Sequence, residues 1–342
     1  MKKIITLSIL LMTTFIFAQE EEKTSKLDIS GSIDAYYRTN LSTTDRGLEG
    51  TELLTSFADG RTFAVGMANV IFSYEMEKTG MVADLAFGPR AGQAISPGVG
   101  PLNQLYAYWN VSDNVTLTMG RFNTFLGYEV ISPTGNFNYS TSHLFSAGPF
   151  SHVGLKADFT LSEDFTAMLA IINPTDVNDN LTGGYALGAQ LGYSGQFLNL
   201  YYDDNEVLGF EIDYTGGFDI SEDFYLGINA AYQTMTDEDD EDENSGFYGV
   251  ALYPQFNLSD SFSLGARGEY FSNHSSIDNF EETSVLALTL TGSFSVENLT
   301  IKPEFRLDSL GGNDEEQFIE GGDDYARTNS LSTFMLAAIY SF

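Results

Sequence analysis

The chain has 342 residues, with 15 Lys and Arg against 48 Asp and Glu, a net charge of −33 and no Cys. So acidic a chain lacks the basic footprint that nucleic-acid binding needs, and without thiols it can form neither disulfides nor thiolate metal sites. Gly is abundant at 33, Pro scarce at 8, and aromatics make up 14% of the residues, a mix that suits a large all-β protein with aromatic belts.

The chain opens MKKIITLSILLMTTFIFAQEEE. Lys2 and Lys3 form a positive start, 4–17 an apolar run, and Phe17-Ala18-Gln19 a cleavage site. The run is shorter than the ~20 residues of a membrane helix, so 1–18 reads as a cleaved signal peptide and 19–26 as a short periplasmic segment. No Cys follows it, which excludes lipid attachment. Past residue 19 no apolar run approaches membrane-helix length. Any crossing must then be made by strands, and only a closed barrel satisfies every backbone group in lipid.

From Leu27 the pattern has period two: Leu27, Ile29, Gly31, Ile33, Ala35 and Tyr37 alternate with Asp28, Ser30, Ser32, Asp34, Tyr36 and Arg38. Similar alternation recurs at 61–77, 80–90, 102–111, 115–121, 151–161, 165–173, 184–193, 197–203, 209–219, 224–235, 246–257, 262–272, 284–294, 299–308 and 328–342. The expected fold is all-β, a transmembrane antiparallel up-and-down barrel of about sixteen strands over 27–342. Tight connections such as Ser162-Glu163-Asp164 and Ser221-Glu222-Asp223 alternate with mostly longer ones at about 39–60, 91–101, 122–150, 174–183, 204–208, 236–245, 273–283 and 309–327. That alternation places the short turns in the periplasm and the long loops outside. Around the tight turns sit Trp109, Phe159, Phe165, Tyr193, Phe218, Phe224, Phe256, Phe262, Phe294 and Tyr340, all on the apolar face by parity, as in an interfacial girdle.

The face opposite the apolar stripe should line the lumen. It carries Asp28, Asp34 and Arg38, then Lys156 and Asp158, Glu211 and Asp213, Arg267 and Glu269, and finally Lys302, Glu304, Arg306 and Asp308. Unpaired charges cannot sit in a dry core, and a barrel of this size is wide enough for an aqueous channel. With Arg121 and Glu129, and without Asp28, these are the expected pore-lining residues. Ion-pair ladders that merely stiffen the wall are the alternative for 302–308.

The longest connection, FNTFLGYEVISPTGNFNYSTSHLFSAGPF at 122–150, is aromatic and has one clear charge, Glu129. Beside acidic loops, that composition suggests a segment packed inside the barrel as a constriction, or one that covers the mouth. The segment Gly120-Arg121-Phe122-Asn123-Thr124-Phe125-Leu126-Gly127-Tyr128-Glu129, followed by Ser132-Pro133 and Asn136-Phe137-Asn138-Tyr139-Ser140, resembles the OmpL-like β-barrel porin-2 family of Bacteroidota. The preceding Gln104 to Trp109 and the following Gly148 to Lys156 fit it too. The resemblance implies a general diffusion channel and transfers no selectivity residue. The dense basic lining of phosphate-selective porins is missing.

Asp237 to Glu243 (DEDDEDE) and 311–324 are acid-rich and fall in outer loops. They could bind Ca²⁺ or Mg²⁺ and bridge to lipopolysaccharide, but the EF-hand spacing is absent and a solvated loop is the simpler reading. No other cofactor is expected. Enzyme readings lack support: no Gly-x-Ser-x-Gly elbow occurs, no paired-His motif occurs, His152 falls on the lumen face, and His143 and His274 lie in or beside loops.

The last strand, 328–342, ends on Phe342, like the closing strand that the barrel-assembly machinery reads in outer-membrane proteins. It should pair with the first strand. Its inward face, Leu331, Met335, Ala337 and Ile339, is apolar, so something should pack on it inside, and 122–150 is the candidate. The expected function is an outer-membrane porin, set among lipid and lipopolysaccharide, that passes small hydrophilic solutes and favours cations, assembled as a homo-trimer. The second reading is a plugged barrel that binds partners through its acidic loops.

Overall fold

The computed structural model describes residues 26–42, 53–96, 98–236, 243–276, 282–312, 318–319 and 327–342. The expected signal peptide 1–18, nearly all of 19–26, all but the last residue of the acid run 237–243 and most of 311–324 lie outside the described residues.

Sixteen strands close into one antiparallel barrel. In chain order they are β1 (Lys26–Asn40), β2 (Thr62–Glu75), β3 (Thr79–Phe87), β4 (Leu102–Ser112), β5 (Val115–Asn123) and β6 (Ser151–Thr160). There follow β7 (Phe165–Ile172), β8 (Ala186–Tyr193), β9 (Gln196–Tyr202), β10 (Phe210–Asp219), β11 (Phe224–Thr236) and β12 (Asn244–Ser259). The barrel ends with β13 (Phe262–Ser275), β14 (Thr283–Val296), β15 (Leu299–Gly312) and β18 (Ser330–Ser341). Between the last two, β16 (Phe318–Ile319) and β17 (Arg327–Thr328) form a small separate ladder. Every barrel strand pairs with its sequence neighbour, and β18 closes on β1 with Ile33 opposite Tyr340 and Thr39 opposite Phe334.

The period-two pattern produces two unlike faces. Leu169, Ile171, Leu187, Leu191, Leu286, Leu288 and Leu290 all stand exposed on the outside. So wide an apolar surface is tolerable only against lipid. At the short-turn rim the girdle aromatics pair across strands: Phe165 with Tyr193 at 4.6 Å, Phe224 with Phe256 at 4.3 Å, and Phe262 with Phe294 at 4.4 Å between ring centroids. Cross-strand aromatic pairs stabilise the sheet and set its register. The turns repeat one chemistry: the backbone N–H groups of Leu161 and Ser162 both donate to Phe165 O, and those of Ile220 and Ser221 to Phe224 O. Ser162 Oγ also accepts from Phe165 N at 3.1 Å.

Among the described residues two short helices interrupt the all-strand pattern. The chain leaves β3 at Phe87, and Pro89 then starts α1 (Pro89–Ala94), because a proline lacks the N–H a strand needs and suits a first helical turn. Helix α2 (His143–Ala147) lies in the longest connection and is capped by Ser142 Oγ, which accepts from Phe145 N at 3.0 Å.

Candidate functional site in the barrel lumen

The connection between β5 and β6, 124–150, is pinched at its neck, where Thr124 N donates to Phe150 O at 3.1 Å. From there it runs inside the barrel. Apart from α2 it has no regular structure, so its backbone polar groups must find partners elsewhere. The wall supplies them. Glu304 on β15 accepts from Tyr139 N at 2.7 Å and Ser140 N at 3.0 Å. Glu269 on β13 accepts from His143 N at 3.0 Å and Leu144 N at 2.8 Å. Asp213 on β10 accepts from Gly127 N at 3.1 Å.

The wall cations take the loop's carbonyls in the same way. Arg267 donates to Ser140 O at 2.6 Å and Thr141 O at 3.0 Å, Arg306 to Thr141 O at 2.8 Å, and Lys302 to Asn136 O at 2.5 Å. The one charge within the loop, Glu129, pairs with Arg267 at 2.7 Å and accepts from Ser142 N at 2.6 Å. Arg90 of α1 reaches in from the neighbouring connection to Ile131 O and Tyr139 O, both at 3.1 Å, with its guanidinium 4.8 Å from the Phe57 ring centroid. Tyr139 OH donates to Asp34 at 2.5 Å; burial raises its phenol above the ordinary range, so it stays a donor.

Apolar contacts seat the loop as firmly. Phe125 lies over Gly188, Tyr128 over Gly227 and Phe137 over Gly265, each so close that a Cβ on the glycine would drive into the ring. Tyr128 also stacks on Tyr253, with 4.4 Å between centroids. On the inward face of β18, Leu331, Met335, Ala337 and Ile339 are buried under Tyr139 of this loop together with Leu53 and Ala58 of the first long connection.

Most of the expected pore lining is therefore covered. Asp34, Arg38, Arg121, Glu129, Glu211, Asp213, Arg267, Glu269, Lys302, Glu304, Arg306 and Asp308 are all buried. The expectation that they meet water is corrected here: the loop's own backbone occupies the space that Asp213, Arg267, Glu269, Lys302, Glu304 and Arg306 face, and the others are covered by side chains or other connections. On β15 the 302–308 ladder divides by task. Arg306 grips Asp308 through two bonds of 2.8 Å, and Asp308 meets His143 Nε2 at 3.0 Å, whereas Lys302 and Glu304 point their charges at loop backbone. Outside the loop's reach, Arg38 bonds Asp59 O and Asn40, and Arg121 bonds Asn103 O and Asn178. Asp28 stands exposed at the short-turn rim.

Lys156 and Asp158 are the exception. They pair at 2.6 Å and remain partly open, their side chains 24% and 40% exposed. Around them a cavity of about 410 Å³ is lined on its polar side by Gln104, Tyr106 and Tyr108 of β4, Thr116 and Thr118 of β5, and Gln190 of β8, and on its apolar side by Phe122, Phe125 and Met168. These uncharged polar residues escape a search for charged lumen positions. Their signal was present in the alternation of 104, 106 and 108 against Leu105, Ala107 and Trp109. A larger apolar recess of about 800 Å³ opens at the β18–β1–β2 seam, among Phe63, Val65 and Leu336 of the lipid-facing side. Among the described residues no group of His, Asp and Glu is arranged to hold a metal ion.

The barrel is similar in fold to solved outer-membrane proteins. The trimer form of OmpT from Vibrio cholerae matches with a TM-score of 0.60 at 11% identity, over 93% of this chain and 99% of that one. An anion-selective porin from Comamonas acidovorans matches with a TM-score of 0.59 at 9% identity, over 93% and 100%. A BenF-like porin from Pseudomonas fluorescens Pf-5 gives 0.51 at 9% identity, over 93% and 98%. No curated protein matches the chain in sequence. Residues 26–342, the whole barrel, match the family described as "Putative beta-barrel porin-2, OmpL-like", and the chain belongs to that family of outer-membrane porins.

Proposed function

We propose that this porin is a water-filled channel for passive diffusion of small hydrophilic solutes. The observation that carries the reading is the strip of uncharged polar side chains around Lys156 and Asp158, left open beside the inward loop. In this reading 124–150 is the constriction: it narrows the lumen by covering the walls of β10, β13 and β15 and part of β7 and β8, and the strip along β4, β5 and the Lys156–Asp158 end of β6 keeps the path. The wall beside that path carries one balanced ion pair, so a cation preference has its source in the acid-rich mouth connections. The signal peptide exports the chain, the strand ending in Phe342 is read by the assembly machinery, and the barrel sits among lipid and lipopolysaccharide. A homo-trimer is the expected assembly, in keeping with the trimer form of the Vibrio cholerae neighbour.

Single-channel recording of the refolded full chain in planar bilayers tests this reading: stepwise conductance in KCl supports it, and a silent membrane overturns it. The plugged-barrel alternative draws on the same loop, whose contacts cover so many wall charges. It predicts the silent membrane together with surface binding that is lost when 237–243 is removed.

A further inference from the structure

The open strip has a chemistry of its own. Lys156 and Asp158 pair at 2.6 Å, so together they present no net charge to a passing solute. Gln104 Oε1 accepts from Asn123 N at 3.2 Å, which leaves its amide N–H groups as donors. Gln190 donates to Asn199 at 2.7 Å, which leaves its carbonyl oxygen as an acceptor. Thr116, whose hydroxyl already donates to Asn110 at 2.9 Å, adds an acceptor, and Thr118 adds a second hydroxyl to the lining.

Two phenol rings stand among these groups. Tyr108 lies against Gly80, where a Cβ would collide with its hydroxyl and ring, and it lines the cavity. Tyr106 stands opposite Gly120, and Gly120 in turn opposite Gly154; its ring packs against the cluster that holds Phe122 and Met168 and also lines the cavity. A cavity of about 410 Å³ lies within the range of about 300–1,000 Å³ that holds small ligands.

A solute suited to this surface offers hydroxyls to the amides and threonines, an apolar C–H face to the rings, and no net charge. An apolar solute would leave the amides unpaired, at a cost in free energy. We propose that the channel selects uncharged polyhydroxylated solutes, of the saccharide class, by holding them against Tyr106 and Tyr108 as they pass. The proposal rests on the diffusion-channel reading above and adds a solute class to it.

The test is current interruption in the refolded full chain, with maltotriose as the probe and arginine and gluconate as charged probes of comparable polarity. Maltotriose should interrupt the KCl current at concentrations where arginine and gluconate do not. Tyr106→Leu with Tyr108→Leu should raise the half-blocking maltotriose concentration about tenfold, as the loss of two ring faces implies. Tyr108→Phe, which keeps the ring, should retain most of the block. Heat-modifiable migration identifies correctly folded variants before recording. An open channel that maltotriose does not interrupt overturns the solute class alone, as does equal interruption by the charged probes or an unchanged block in the double variant. A membrane silent in KCl overturns the channel reading itself, and the solute class with it.

Discussion

Glu304 holds two successive backbone N–H groups, those of Tyr139 and Ser140, one on each carboxylate oxygen. Glu269 repeats the arrangement four residues further on with His143 and Leu144. An acidic side chain on a strand thus does for the inward loop what a neighbouring strand would do: it gives buried donors an acceptor. Charged acceptors make the stronger bonds, and leaving such donors unmet inside the barrel is costly. The ladder of charges across β13 and β15 is the seat of the loop.

Removing one seat should loosen the loop while the barrel stays closed. Glu304→Gln keeps one acceptor and sets an amide N–H₂ against a backbone N–H, and Thr291 Oγ1 also loses its carboxylate partner. The expected loss is about 2–4 kcal/mol in the loop's docking. Limited proteolysis should cut within 124–150 in the variant and spare the wild type, while heat-modifiable migration persists.

The ring sockets give an independent route to the same end. Gly265→Val places a branched side chain where the Phe137 ring lies, and Gly227→Leu does so under Tyr128. Each should push the loop off the wall at the cost of an overpacked contact, about 1–3 kcal/mol. Higher single-channel conductance is the expected result, and an unchanged conductance would show that 124–150 does not set the narrowest point.

Splitting the Lys156–Asp158 pair should create selectivity in a defined direction. Lys156→Gln leaves Asp158 alone beside the path and should shift the reversal potential in a KCl gradient toward cations. Asp158→Asn leaves Lys156 and should shift it toward anions. If both variants move it the same way, the pair does not face the permeating ions.

Closure of the barrel should depend on its last residue. Phe342 N donates to Gly31 O, and Gly31 N to Phe342 O, each at 3.0 Å, with the Phe342 ring close over Gly31. Deleting Phe342 removes both bonds and the ring. The fraction of chain that reaches the heat-modifiable form should fall severalfold, read by gel densitometry after refolding.

The sequence by itself determined the barrel. Strand parity, tight turns built on Ser, Glu and Asp, and the aromatics beside them are local features, readable within a few residues of one another, and they locate all sixteen barrel strands to within a few residues. Parity also assigns Glu211, Arg267 and Lys302 to the inner face. It cannot say what lies above them, because a side chain's direction is local and its cover is not. The partners of Glu269, Glu304 and Arg306 in the loop lie some 125 to 165 residues away along the chain, and Leu53, Phe57 and Arg90 come from other connections. Only the tertiary structure decided which inner charges hold a buried loop and which pair, Lys156 and Asp158, is left facing water. The physical reason is that a loop without a ladder of its own must take its hydrogen bonds from the wall it meets, and the closed barrel alone determines which wall that is.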